Sequence, residues 1–407
     1  MLIEEIREHL TEHLIPFWKG LRDNEYGGYY GWLGYDLKLD KKAVKGCILN
    51  SRILWFFSSA CRLLGDAFLL AEADHAYEFM QRYCLDKRNG GVYWSVTYDG
   101  NVEEDLKHTY NQAFAIYALS AYYRVSKKEE ALKTAQELFA LIEEKCRDEQ
   151  GYLEAFTEDF LPADNEKLSE NGVLAEKTMN TLLHVFEAYT ELYDVTHDAA
   201  VAERLQWMMN IFRKRVYNPE EHRLEVFFDK DWNSLLDLHS FGHDIEAAWL
   251  IDRGCEVLGD AAYTEKMHAI TKELESCVFE KAYRSHSLAN EAENGIIDET
   301  RVWWVQAEAM VGYTNAWQKE KAVNGCANAW QKDGEMPGGA DYRQAVDEIW
   351  DYIKTNIIDK RPSSEWFWCV HADGSPVEGR PIVEPWKCPY HNGRMCIEMI
   401  RRLSDAS

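Results

Sequence analysis

The sequence predicts an all-α protein, an (α/α)6 barrel of twelve helices in two concentric rings with short β-hairpin-like excursions between helix pairs. Three observations predict it. Apolar residues recur with helical period along almost the whole chain. The helices come in pairs joined by short links, such as Gly65-Asp66, Ser126-Lys127 and Gly259-Asp260. The first members of the pairs start near residues 44, 109, 178, 245, 303 and 391, at spacings of about 65, 69, 67, 58 and 88. Six pairs that close on themselves form a double ring, with the recurring helices inside and their partners outside. An open solenoid is the alternative, but it carries polar capping repeats at both ends, and none is visible here. All 407 residues are expected to form one domain.

Taken in order, helices are expected at 2–22, 44–64, 67–84, 109–124, 128–147, 178–193, 197–216, 245–258, 263–279, 303–318, 342–358 and 391–404. The first is amphipathic and charged, without the apolar stretch of a signal peptide. The recurring helices carry apolar runs such as ILWFF at 53–57 and AFAIY at 113–117, as an inner ring requires. Between pairs lie aromatic, strand-like excursions at 27–33, 90–100, 151–156, 223–232 and 365–374. The widest spacing holds a small tandem duplication: Asn-Ala-Trp-Gln-Lys at 315–319 recurs at 328–332. It reads as a tolerated surface insertion.

Composition excludes several classes of function. With 45 Lys and Arg against 70 Asp and Glu the net charge is −25, and no basic block exists. Nucleic acid and anionic membrane surfaces are therefore excluded as partners. At 46% apolar the chain is too hydrophobic to be a disordered acidic protein. No run of about 18 apolar residues suggests a membrane span. The ten Cys are scattered without CxxC pairs, which points to reduced, buried thiols and a cytoplasmic protein. A monomer is expected. The 15 Trp, 22 Tyr and 16 Phe suit either a large helical core or a pocket whose rings cover the CH faces of a sugar.

Polar residues gather near the start of each inner helix: Asn50, Ser51 and Arg52; His108, Tyr110 and Asn111; Asn180 and His184; His239, His243, Asp244 and Glu246; Arg301, Trp303, Trp304, Gln306 and Glu308; Trp386, Lys387, Tyr390, His391, Asn392 and Arg394. In a ring of parallel inner helices these starts converge at one mouth and line one pocket. Each has a structural reading as well. Arg52 can be a buried ion-pair partner of Glu246 or Glu308. His184 can be a satisfied core histidine, and His239 reads as structural more readily than catalytic. Trp303 and Trp304 cannot both face one way. His239 and His243 share a helical face, but the segment is not a zinc signature, and no metal is expected. No GxSxG, phosphate loop or dinucleotide fingerprint occurs.

A pocket with several His, an Arg and Trp walls suits proton transfer on carbon beside a carbonyl. The enediolate so formed needs a fixed cation, and Arg52 can supply one. Inversion needs protons handled on both faces, a task for His243 and His391. Glu246, one turn beyond His243, is expected to hold that imidazole in the correct tautomer.

The segments KHTYNQAFAIYALSAYY (107–123), HSFGHDIEAAWL (239–250), TRVWWVQAEAM (300–310) and PWKCPYHNGRM (385–395) resemble those of cellobiose 2-epimerases, within the N-acylglucosamine 2-epimerase superfamily. The resemblance covers nearly the whole chain, and only the duplication departs from it. It implies an (α/α)6 barrel and reversible epimerisation at C2 of the reducing-end glucose of β-1,4-linked disaccharides, without a required cofactor. Cellobiose would give glucosyl-mannose, and lactose epilactose. It further implies that His243 and His391 are the acid/base pair, His391 also opening the pyranose ring. Arg52 would hold the enediolate, and His184 would contact substrate oxygens. Tyr110, Asn180, Glu246 and Glu308 match polar pocket positions, and Trp304, Trp386 and Trp303 sugar-stacking ones. The alternatives are an N-acylglucosamine 2-epimerase or aldose–ketose isomerase of the same superfamily, an (α/α)6 glycoside hydrolase, and a non-catalytic sugar-binding protein.

Overall fold

The computed structural model describes residues 2–167, 172–323 and 341–404. Counting each π-helical turn with the helix it continues, these residues form twelve helices. They are α1 (2–20), α2 (Cys47–Leu64), α3 (67–84), α4 (Thr109–Ser126), α5 (Glu129–Lys145), α6 (Met179–Thr196), α7 (199–216), α8 (Phe241–Leu258), α9 (Ala261–Ala282), α10 (Trp303–Val323), α11 (342–357) and α12 (His391–Ser404). The expected boundaries hold to within a few residues. The largest difference with a consequence is α8, which starts at Phe241 and so takes His243 into its first turn. The first copy of the duplication is the last part of α10; the second, at 328–332, lies outside the described residues.

Inner-to-outer links are made by local backbone chemistry. Gly65, Lys127, His197 and Gly259 end α2, α4, α6 and α8 in the left-handed conformation. Asp66, Asp198 and Asp260 then cap the next helix through their carboxylates. The inner helices α2, α4, α6, α8, α10 and α12 each pack on the next, and α12 packs back on α2. The outer helices α3, α5, α7, α9 and α11 each lie against the inner helix they follow. The sixth outer helix is α1, which packs on α12. The chain therefore enters as the outer member of its last pair, and the predicted closed (α/α)6 barrel is observed.

Short antiparallel strands lace the mouth. Lys45–Gly46, Lys107–His108, Lys177–Thr178, Leu238–Ser240 and Arg301–Val302 each immediately precede an inner helix. They pair with Ser95–Val96, Ala155–Phe156, Phe227–Phe228, Glu291–Glu293 and Cys369–Val370 respectively. Each helix start is thus stitched to the excursion of the next repeat.

Buried ion pairs lock these starts. Lys45 binds Asp23 at 2.6 Å, Lys107 binds Asp86 at 2.7 Å and Lys177 binds Asp148 at 2.6 Å. Each Asp also accepts two backbone N–H groups of the turn after an outer helix. The fourth repeat substitutes His239 with Asp244 at 2.9 Å, and the sixth Lys387 with Glu365. His239 is therefore structural.

The nine described cysteines form no disulfide, and all but Cys61 are buried. Among the described residues no helix is long and apolar enough to cross a membrane.

Candidate active site

Residues two apart on a helix face opposite ways, and that rule sorts the polar cluster at the helix starts. One set turns out to hold the excursions. Asn50 accepts the Tyr29 N–H at 3.1 Å, Gln112 bonds both Val92 N–H and C=O, Asp244 accepts the Leu224 N–H, and Gln306 bonds both Leu288 N–H and C=O. The other set turns inward. Arg52, Tyr110, His184, Glu246, Glu308 and Arg394 come from six different inner helices and meet in the barrel.

Arg394 is the hub. Its guanidinium donates to Glu187 on α6, Glu246 on α8 and Glu308 on α10, the last at 2.7 Å. Glu308 also accepts from Trp249 Nε1 at 2.9 Å and meets His391 Nδ1 at 2.7 Å. Glu187 accepts from Tyr390 OH at 2.5 Å and meets His184 Nδ1 at 2.9 Å. Burial would raise Glu187, but Arg394 and its hydrogen-bond partners outweigh it and hold this carboxyl at about 2. Glu246 goes the other way. Burial and the neighbouring Glu308 carboxylate push it well above the usual range, and its Oε2 has no protein partner.

Arg52 is held quite differently. It is 2% exposed and has no carboxylate partner among the described residues. Nη2 donates to Tyr110 OH at 2.8 Å, Nη1 lies 3.7 Å from Cys388 Sγ, and Nε has no partner. Aromatic faces surround it: Phe114 at 4.1 Å, Tyr390 at 4.7 Å, Tyr110 at 5.8 Å and Trp386 at 5.9 Å.

His243 and His391 both pack against Trp304, whose ring lies 4.7 Å from the first and 5.3 Å from the second. Gly242 permits this, because a Cβ there would sit 2.5 Å from the Trp304 ring. His243 Nδ1 is tied to Ser240 Oγ at 2.7 Å. Burial, then the His184 ring, lowers His243 to about 3. Burial, then Arg394 and Arg52, holds His391 well below its ordinary value. Both imidazoles are therefore neutral near pH 7. Trp386 packs on Tyr110 and Trp94 beside Arg52, and Asn180 keeps a buried Oδ1 without a protein partner.

The model of the N-acylglucosamine 2-epimerase (GlcNAc 2-epimerase) family matches residues 28–392. The chain belongs to this family. Cellobiose 2-epimerases of Eubacterium cellulosolvens and Ruminococcus albus are 46% and 48% identical to it, the alignments covering 98% and 99% of both chains. The structure of cellobiose 2-epimerase from Bacillus thermoamylovorans B4167 superposes with a TM-score of 0.90 at 45% identity, covering 98% of this chain and 99% of that one. A sugar epimerase from a ruminal bacterium gives 0.93 at 48%, covering 99% of each. A D-mannose isomerase, at 17% identity and a TM-score of 0.81, shares the fold. The chain is thus a carbohydrate epimerase by family.

Within this epimerase the structure corrects three sequence expectations. Glu246 does not hold His243; it serves Arg394 and lies 3.9 Å from His391, while Ser240 takes the tethering role. Arg52 pairs with neither Glu246 nor Glu308, because Arg394 has taken both. Trp303 is 3% exposed and packs on Trp368, and of the tandem pair it is Trp304 whose ring meets both His243 and His391. His184 is anchored by Glu187 and packed edge-on against Tyr110. Sequence reasoning assigned no role to Glu187, Arg394 or Ser240. The signal for the first two was an unmatched charge on the inner face of an apolar helix. Glu246, Glu308 and His391 offer ligand atoms within 4.8 Å of one another, a spacing that would suit a metal ion. Arg394 already places its own cation between the two carboxylates.

Proposed function

We propose that this epimerase inverts C2 of the reducing-end glucose of β-1,4-linked disaccharides, interconverting cellobiose with glucosyl-mannose and lactose with epilactose, without a cofactor. The observation that carries the reading is the unpaired, buried Arg52 guanidinium in a pocket with two neutral imidazoles. Full-length likeness to cellobiose 2-epimerases supports the choice of disaccharide.

The reducing sugar lies against Trp304 and Trp386, with Asn180 and Tyr110 meeting its hydroxyls, and opens to the aldehyde. His391 assists that opening, and His184, oriented by Glu187, contacts the substrate oxygens. One histidine takes the C2 proton through Nε2, and the C–H electron pair moves into the C1–C2 bond to give a cis-enediolate. Arg52 stabilises the oxyanion where it develops. The C2–C3 bond turns; the other histidine, which takes up a solvent proton before this step, delivers it to the opposite face of C2, the first histidine releases the abstracted proton to solvent, and the ring closes. Glu308 fixes the tautomer of His391, and Ser240 orients His243. The two site carboxylates Glu246 and Glu308 are gathered on one guanidinium, not set on either side of a glycosidic oxygen as hydrolysis requires.

The test is to run cellobiose in D2O and identify products. Glucosyl-mannose carrying deuterium at C2 is expected. Product without deuterium, a ketose product, or released glucose sinks the reading. His243→Ala and His391→Ala should each abolish turnover while leaving the circular dichroism spectrum unchanged.

A further inference from the structure

We propose that the same pocket binds open-chain sugar 1-carboxylates, the aldonic acids of its disaccharides, more tightly than neutral open-chain analogues, as dead-end ligands held by Arg52. The inference rests on the reading above, in which the pocket accepts the opened reducing end of a disaccharide.

Two buried guanidiniums pack against the Tyr390 ring, Arg52 at 4.7 Å and Arg394 at 4.1 Å from its centre. They are unequally served. Arg394 has three carboxylates, while Arg52 has a phenol, a distant thiol and aromatic faces. Burying a cation without a counter-charge is costly, and aromatic faces return only part of the cost. The Nε–H of Arg52 has no acceptor among the described residues. Arg52 therefore lacks a negative counter-charge, while the three carboxylates of the site are gathered on Arg394.

The neutral substrate supplies that charge only while the enediolate exists. A carboxylate at C1 supplies it permanently. It is planar, matches the guanidinium fork and has its charge on oxygens at the end of the same carbon chain. Trp386, beside Arg52, can carry the chain just as it would carry the substrate. The carboxylates that would repel such a ligand are engaged by Arg394. No turnover follows, because a C2 proton beside a carboxylate is far less acidic than one beside an aldehyde. No bond is made or broken.

The experiment is calorimetric titration of the full-length protein with cellobionate and with cellobiitol, its neutral open-chain counterpart, alongside inhibition of cellobiose turnover by each. Cellobionate should bind about tenfold or more tightly than cellobiitol. The preference should vanish in Arg52→Met and survive in part in Arg52→Lys. Equal affinities in the wild-type protein, or a preference that persists in Arg52→Met, overturn the inference. Should Arg52→Met fail to fold, an undiminished preference in Arg52→Lys does the same. Cellobiose turnover without an acid preference removes this inference and leaves the function standing. An Arg52-dependent acid preference without turnover of any disaccharide does the reverse.

Discussion

At the residue scale, two arginines of the same type and similar burial have opposite duties, set by their partners. Arg394 holds three carboxylates together, so Arg394→Met strands them in the interior. A loss of about 3–5 kcal/mol is expected, seen as a large fall in Tm. Arg52 has no carboxylate to strand, only the Tyr110 hydroxyl and aromatic faces, so Arg52→Met should change Tm far less than Arg394→Met while removing activity. If the two variants melt alike, the division of labour is wrong. The histidines make a second prediction. Burial lowers His243 to about 3 and keeps His391 well below 6.5. A lowered group stays neutral until the pH falls through its shifted value, so the proton-abstracting form survives into mild acid. The acid limb of kcat/KM is expected well below the ordinary histidine value; a limb centred at that ordinary value would show that these rings are solvated in the working enzyme. Much of this site was legible in the sequence: Arg52, His184, His243 and His391 were singled out as polar residues on apolar helices. The partner of each was not, because a hydrogen bond across a barrel joins residues as far apart as Glu187 and Arg394, which no local spacing encodes.

At the element scale, the starts of α2, α4 and α6 are positioned by one recurring device, a lysine just before the inner helix clamped to an aspartate in the turn after an outer helix. Lys45, Lys107 and Lys177 are all fully buried, and so is each Asp side chain except that of Asp148. Lys107→Met leaves Asp86 charged and unpaired, at a cost of about 3–5 kcal/mol. The Tm of Lys107→Met should fall, and that of a double variant with Asp86→Leu should largely recover. Failure of the double variant to recover would locate the stabilisation in packing, not charge pairing. The recurrence of Lys at 45, 107 and 177 was present in the sequence as a repeat signal, but its meaning depends on an Asp at 23, 86 or 148. The helices themselves were the most legible elements, since the 3.6-residue period and the Gly65, Lys127 and Gly259 links are local. Missing α8 by four residues had a real effect, for it left His243 outside the helix that presents it.

At the scale of the whole molecule, closure is the deciding feature. Because α1 covers α12 and α12 packs on α2, each helix pair has neighbours on both sides. Stability is then shared round the ring, and no terminal repeat can fray alone. Denaturant unfolding followed by far-UV circular dichroism and by Trp fluorescence is expected to give coincident transitions; separated midpoints would show the pairs melting independently. The sequence by itself determined the twelve helices, their pairing, the closed double ring and the residue types at the mouth, since these follow from hydrophobic period, turn chemistry and repeat spacing along the chain. Only the tertiary structure decided which polar residues face the pocket and which hold the excursions. Only it showed that Arg394 gathers the carboxylates and leaves Arg52 without one. Charge pairing is a property of distances across the barrel, and those distances exist only once the ring has closed.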